Sequence, residues 1–201
     1  TIVREYVSEK IDKNNDGYLS KKEISAVKTI IIDKNNLYWE NKDKPKEDYE
    51  IIDCKGLEIF TNVEKVKLTT YCDTYVSEYG NIKNIKVLAK ITKIKNLEIS
   101  GVNNSNYDFT KLNNLAMLCI KSTKLKKLNL SKNVKLKNLK LAYNPLLKKI
   151  NLTKNKNLEK INLYGSGVKK ITLGKNNKIK NSKTSLNINF VLIILIIFSL
   201  R

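Results

Sequence analysis

The chain has 201 residues, with 39 Lys+Arg against 19 Asp+Glu, no histidine and a formal net charge of +20. That length holds one domain or two small ones with a real core, and only two prolines and seven glycines exclude a collagen-like or low-complexity chain. Without histidine there is no Ser-His-Asp or Cys-His catalysis and no histidine-ligated zinc. Cys54, Cys72 and Cys119 match no metal-ligand or redox spacing, and their odd number does not suggest a disulfide framework. The charge would attract nucleic acid, teichoic-type polymers or anionic lipid at low salt. Lysine interleaved with Asn and Ile is equally what AT-rich coding produces. Because the sequence begins at Thr1, it is read as a fragment or a processed chain.

The first motif spans twelve residues, from Asp12 to Glu23. Asp12, Asn14 and Asp16 offer side-chain oxygens at positions 1, 3 and 5. Gly17 permits a sharp bend at position 6, and Tyr18 supplies its carbonyl at position 7. Ser20 stands at position 9, where water usually bridges, and Glu23 closes the shell at position 12. A hard cation needs six to eight such oxygens, so the spacing reads as an EF-hand calcium loop in preference to an Asx-rich turn that merely looks like one. Leu19 is apolar at position 8 and is expected to anchor the loop. Ile2, Val3, Tyr6, Val7 and Ile11 fall at helical spacing before it, and Ile24, Val27 and Ile31 after it. The stretch from Asp33 lacks a glycine at its sixth position, so it is a connection and not a second loop. A lone loop points to a weak structural site for Ca2+, with affinity of roughly 10⁻⁴ to 10⁻³ M.

Downstream the chain repeats itself. Ile94, Leu115, Leu136, Leu158 and Ile179 recur with gaps of 21, 21, 22 and 21. Parallel columns hold Leu97, Leu118, Leu139, Ile161 and Ile99, Ile120, Leu141, Leu163. The other half of each unit repeats as Leu125, Leu147, Val168, as Leu128, Ile150, Ile171, and as Phe109, Leu130, Leu152, Leu173. The clearest unit, Leu136 to Leu146, fits L-x-x-L-x-L-x-x-N-x-L, the leucine-rich repeat signature. Its Asn144 is expected to end the strand and bond backbone groups of neighbouring turns. Thr123 and Ser166 replace that asparagine in other units, and Asn103 falls one place late. Val63, Val66 and Leu68 form a first unit, followed by an insertion. Ile82, Ile85, Leu88, Ile91 and Ile94 step every three residues, which suggests a helical or 3-10 turn, and Ile30 to Ile32 is a candidate capping strand.

The calcium loop, the segment Gly56 to Asn62 and the Leu-Asn-Leu-Ser-Lys-Asn run at Leu128 to Asn133 together resemble leucine-rich repeat surface proteins of clostridia and related Firmicutes. The Ile82 to Ile94 stretch is similar to internalin repeats. The resemblance implies an exported or wall-attached protein that binds through its concave face, and it names no ligand.

The expected fold is therefore α+β. An EF-hand over 1–32 is followed by a connection or cap over 33–62. Repeats of 21–22 residues then fill 63–180, with an insertion near 69–81. They would form a curved parallel sheet with a mostly irregular or 3-10 convex side. Outward strand positions run from Lys65, Lys67 and Thr69 on the first strand to Lys160, Asn162 and Tyr164 on the last. The binding candidates among them are Lys67, Glu98, Cys119, Lys121, Asn138, Lys140, Asn162 and Tyr164. This face lacks the aromatic track of single-strand nucleic-acid binders. The expected role is non-enzymatic: a monomer at the cell surface or outside the cell, taking a protein, glycan or polymer ligand, with nucleic acid disfavoured. The alternative is a basic scaffold that holds an anionic polymer by charge. Residues 181–201 form a polar linker and an apolar tail. The apolar run over 186–200 is short for a membrane span. It reads as a marginal anchor, a truncated span, a capping strand or a frame-shifted end, with membrane association or an artefact favoured over a cap.

Overall fold

The computed structural model describes residues 2–33, 51–70, 72–73, 78–79, 81–103, 105–174, 179, 186–187 and 194–197. Residues 34–50 of the expected connection, the linker 181–185, and the tail residues 188–193 and 198–201 lie outside the described residues.

The described chain is mostly parallel β-sheet with few helices. Two helices come first, α1 (Ile2–Lys10) and α2 (Lys21–Ala26). Ser20 caps α2 reciprocally with Glu23: the Ser20 hydroxyl accepts from the Glu23 amide while the Glu23 carboxylate accepts from the Ser20 amide. The helical spacing expected through Ile31 does not persist. The helix ends at Ala26, and Thr29–Asp33 is a strand, β1, with Ile30 and Ile32 buried and Ile31 outward. Three consecutive β-branched isoleucines suit a pleated surface better than a helix, and β1 has a partner waiting in the next strand. The sheet therefore starts before residue 32, inside the segment assigned to the helix-loop-helix unit.

The main sheet has seven strands in the order β1, β3 (Lys65–Thr69), β7 (Asn96–Val102), β9 (Met117–Thr123), β11 (Asn138–Lys140), β13 (Lys160–Asn162) and β15 (Leu186–Asn187). Every pairing is parallel, with Val66 opposite Leu97, Leu97 opposite Leu118, Leu118 opposite Leu139 and Leu139 opposite Ile161. The sequence columns thus become rows across one sheet. Alternate side chains of a strand face opposite ways, so each L-x-L pair enters the core and its middle residue faces out. A backbone bond repeats at the entrance to each strand. The amides of Glu64, Lys95, Ala116, Lys137 and Glu159 donate to the carbonyls of Lys28, Glu64, Lys95, Ala116 and Lys137, at 2.8–2.9 Å.

The return segments carry more strand than expected. β2 (Ile51–Asp53) pairs with β6 (Asn81–Lys83), β8 (Asn106–Asp108) with β10 (Lys127–Asn129), and β12 (Lys149–Leu152) with β14 (Lys170–Leu173) and then β16 (Ile194–Ile197), all in parallel. Among the described residues, only Leu57–Ile59 and Ile85–Lys90 are 3-10 helices. The three-residue step of Ile85, Leu88 and Ile91 reflects the three residues per turn of that helix. In the insertion, β4 (Cys72–Asp73) and β5 (Glu78–Tyr79) pair antiparallel. In the tail, β15 and β16 extend the two sheets beside β13 and β14, as a cap on the last repeat would. Among the described residues, no helix is long and apolar enough to cross a membrane.

Both sets of strands close on one core. Every column residue from Ile94 to Leu173 is buried except Leu128, which is partly covered, and Ile179 packs against the same cluster. Backbone groups that the short strands leave unpaired are met by asparagines. Asn144 Nδ2 donates to the carbonyls of Ile120 (2.8 Å) and Ala142 (3.1 Å), and its Oδ1 accepts the Thr123 hydroxyl at 2.6 Å. A second, unforeseen asparagine column does the same on the return side. Asn133 donates to the Phe109 and Leu112 carbonyls, and Asn155 to those of Leu130 and Asn133. Buried carbonyls need such partners.

Candidate functional site

The acidic loop is built on local backbone chemistry. Asn15 and Gly17 both take positive φ, 53° and 81°, which turns the chain back on itself. Asp12 is buried beneath the loop. Its Oδ2 accepts the Gly17 amide at 3.0 Å, while its Oδ1 is buried without a hydrogen-bond partner. Asp16 Oδ1 accepts the Tyr18 amide at 2.8 Å, and Asp16 Oδ2 accepts Asn14 Nδ2 at 2.7 Å. Glu23 reaches across the mouth, its Oε1 accepting the Lys13 amide at 2.9 Å and its Oε2 the Ser20 hydroxyl at 2.7 Å. The Ser20 hydroxyl, then the Ser20 and Lys13 amides, hold the Glu23 carboxyl below its usual range. Leu19 packs on the core, as expected of position 8, and so do Tyr6 and Val7 of α1. The Tyr18 side chain projects into solvent, which leaves its carbonyl as the relevant group.

These residues fit a hard cation in donor type: all are oxygens, and an orphaned carboxylate oxygen on a buried aspartate lies beside them. Asp12, Asn14, Asp16, Glu23 and the Tyr18 carbonyl would hold it. In the conformation seen, Glu23 is engaged with Lys13 and Ser20. Among the described residues, no three acidic, Cys or His groups are gathered closely enough to hold a metal. Binding would therefore require Glu23 to exchange those amide and hydroxyl partners for the cation.

The strand face brings most of the other candidates together. Lys67, Glu98, Cys119, Lys140 and Asn162 are successive partners across β3, β7, β9, β11 and β13, so they form one lateral row. Asn138 lies one row toward the strand starts, while Lys121 and Tyr164 lie one row toward the strand ends. Two of the lysines already have carboxylate partners. Lys67 meets Asp33 at 2.6 Å, and Lys121 meets Glu98 at 3.1 Å. Asp33 was not foreseen here, because its place opposite Thr69 follows only from the pairing of β1 with β3.

Cys119 corrects an expectation. Its register places it outward, yet it is only 6% exposed. Its neighbours in the row are Glu98 and Lys140, and Glu98 is paired with Lys121, two residues along the same strand as Cys119, so the thiol offers little surface to a ligand. Burial pushes its thiol up to about 11 and outweighs the nearby lysines. Thr69, also outward by register, is likewise buried. What remains open is a polar centre of Asn138, Lys140 and Asn162 beside an aromatic edge. There Tyr143, at φ 55°, meets Tyr164 edge-on with ring centroids 5.4 Å apart. Tyr143 was also not foreseen as part of this face, since it follows the strand by three residues. Comparison with known proteins adds no identity: no family model matches the chain, and no curated protein matches it.

Proposed function

We propose that this chain is a leucine-rich repeat interaction module with a calcium-binding EF-hand at its N-terminal end, acting without catalysis at a cell surface or outside the cell. The observation that carries this reading is the in-register row from Lys67 to Asn162, set on a continuous parallel sheet. The inward columns supply the core, so the outward row is free to vary without cost to folding. Lys140 and Asn162 of that row, with Asn138, Tyr164 and Tyr143 beside it, form the open part of the face, and an amide, ammonium and aromatic set suits a protein or surface glycan. The orphaned Asp12 Oδ1 and the oxygen-only donors around it support calcium as a structural ion at the head of the repeats. The resemblance to clostridial surface proteins points the same way.

The test is binding of the purified chain to cell-wall sacculi and host-cell surfaces at about 50 and 200 mM salt. Charge-driven binding through six to ten contacts weakens by roughly 10³–10⁵ over that range. Binding to one surface that survives the higher salt, and is weakened by Lys140→Glu or Tyr164→Ala, supports the module. Complete loss at the higher salt, with both variants behaving as wild type, rejects the strand face as the site.

A further inference from the structure

The net charge is not spread along the chain. Residues 1–108 hold 18 of the 39 Lys+Arg and 18 of the 19 Asp+Glu, so they cancel. Residues 109–201 hold the other 21 basic residues and a single acid, Glu159, and so carry the whole +20. The ion pairs Lys67–Asp33, Lys90–Glu58, Lys95–Glu64 and Lys121–Glu98 all draw their acids from the balanced half.

In the basic half, three successive return segments place a Lys-Lys pair at the same step: Lys126-Lys127, Lys148-Lys149 and Lys169-Lys170. All six side chains are exposed. Lys127, Lys149 and Lys170 each open a strand, and Lys149 lies directly opposite Lys170. The amide of Lys169 donates to the Lys148 carbonyl at 2.8 Å, so the first lysines of those two pairs are aligned as well; Lys126-Lys127 stands at the same step of the preceding segment, on β10, which pairs with β8 and not with β12. Neighbouring strands lie about 4.8 Å apart. The result is a double column of exposed lysine positions along the return segments, one strand spacing apart where β12 meets β14, with the Lys148 ammonium also donating to the Pro145 carbonyl at 2.7 Å. Like charges directly opposite one another destabilise a strand pair, and no carboxylate is interleaved to relieve them.

We propose that this double lysine column is a second binding surface, for a flexible linear polymer of repeated phosphate groups lying along the stacking direction. The choice of anion follows from the residues. Only Arg4 and Arg201 are arginines, so the planar bidentate recognition that favours carboxylates is missing, while lysine binds phosphate as a point charge. No aromatic residue falls between positions 126 and 130, 148 and 152, or 169 and 173, so the surface offers nothing for nucleobases to stack on. Bound polyanion replaces lysine–lysine repulsion with attraction and releases counter-ions. The surface requires neither calcium nor the strand face, so its failure and theirs are separable.

The experiment measures binding of the full chain to long-chain inorganic polyphosphate across a salt series. One variant carries glutamine at Lys126, Lys127, Lys148, Lys149, Lys169 and Lys170. A control of equal charge carries glutamine at Lys132, Lys135, Lys137, Lys154, Lys156 and Lys160. Two partial variants, K126Q/K127Q and K169Q/K170Q, give graded steps should the six-fold change disturb folding, which circular dichroism reports. The six-fold variant is expected to lose at least tenfold in affinity relative to the control. Its log K against log salt slope should fall by about 4, at roughly 0.7 per contact for a flexible strand. Equal losses in variant and control would overturn the proposal in favour of diffuse attraction. Tighter binding of a single-stranded oligonucleotide of matched charge would overturn the choice of ligand, and loss of binding with Tyr164→Ala would relocate the site to the strand face.

Discussion

The Asn144 contacts offer a sharp test of how the repeats are held. Asn144→Ala removes two donations to buried carbonyls, Ile120 and Ala142, and the acceptor for the Thr123 hydroxyl. A buried polar group left without a partner costs about 1–3 kcal/mol. Thr123 keeps one bond, because its hydroxyl also accepts the Leu125 amide at 3.2 Å, and the Ala142 carbonyl keeps the Ser122 amide at 3.2 Å, so the penalty falls mainly on the Ile120 carbonyl. A loss of about 1–3 kcal/mol is expected. Thr123→Val keeps the shape and removes only the hydroxyl, so it should cost about 1–2 kcal/mol. The two residues touch, so the double variant should fall short of additivity by at least ~0.5 kcal/mol. Urea denaturation followed by circular dichroism measures all three, with the slope on denaturant unchanged if only stability has moved. Were Asn144→Ala to cost under ~1 kcal/mol, the Ile120 carbonyl would have another partner and the asparagine account would be wrong.

Three further outcomes follow from single sites. Gly101 sits at φ 73°, and a Cβ there would lie 2.3 Å from the Thr70 carbonyl oxygen, so Gly101→Ala should lower the melting temperature by more than an exposed Gly→Ala change does; an unchanged melt would contradict that approach. Burial pushes the Cys54 thiol up to about 12 and the Cys119 thiol up to about 11, so in a Cys72→Ser background neither should react with a disulfide reagent at neutral pH until the chain unfolds. Rapid labelling of the native protein would show that one of them is open. The Asn84 side chain, then the Lys55 amide, hold the Asp53 carboxyl below its usual range. A carboxylate with a depressed folded pKa stabilises above its unfolded value, near 3.9, and loses that contribution as pH falls through the folded one. Asp53→Asn should therefore be less stable than wild type at neutral pH, with the gap closing in acid. A gap that stays constant with pH would refute the charge-based origin.

The inward columns were legible because burial acts on every turn alike: Leu97, Leu118, Leu139 and Ile161 share one environment and so one residue type. Asn144 was legible for the same reason, as a polar residue fixed in an apolar register. Features that depend on neighbouring turns were harder to read. Asn133 and Asn155 sit in turns whose carbonyl needs cannot be known until the return strands are placed. Those strands are only three or four residues long, too short for alternation to separate them from loop. The run Ile30–Ile32 carried both periodicities at once, and pairing with β3 decided for strand. Cys119 was outward by parity, but exposure also depends on the length of the side chains beside it. The loop from Asp12 to Glu23 shows the converse. Its pattern is local and complete in sequence, while the engagement of Glu23 with Ser20 and Lys13 belongs to three-dimensional geometry.

The most direct test of the calcium-stabilised module is thermal unfolding in about 10 mM calcium and in chelator, for wild type and Glu23→Gln, at an affinity of roughly 10⁻⁴ to 10⁻³ M. Linkage at those values gives a stabilisation of about 1.4–2.7 kcal/mol, which is a rise of roughly 3–10 °C for a chain of this size. The account expects that rise in wild type and its loss in Glu23→Gln. Identical melting of the wild type with calcium and with chelator would contradict it.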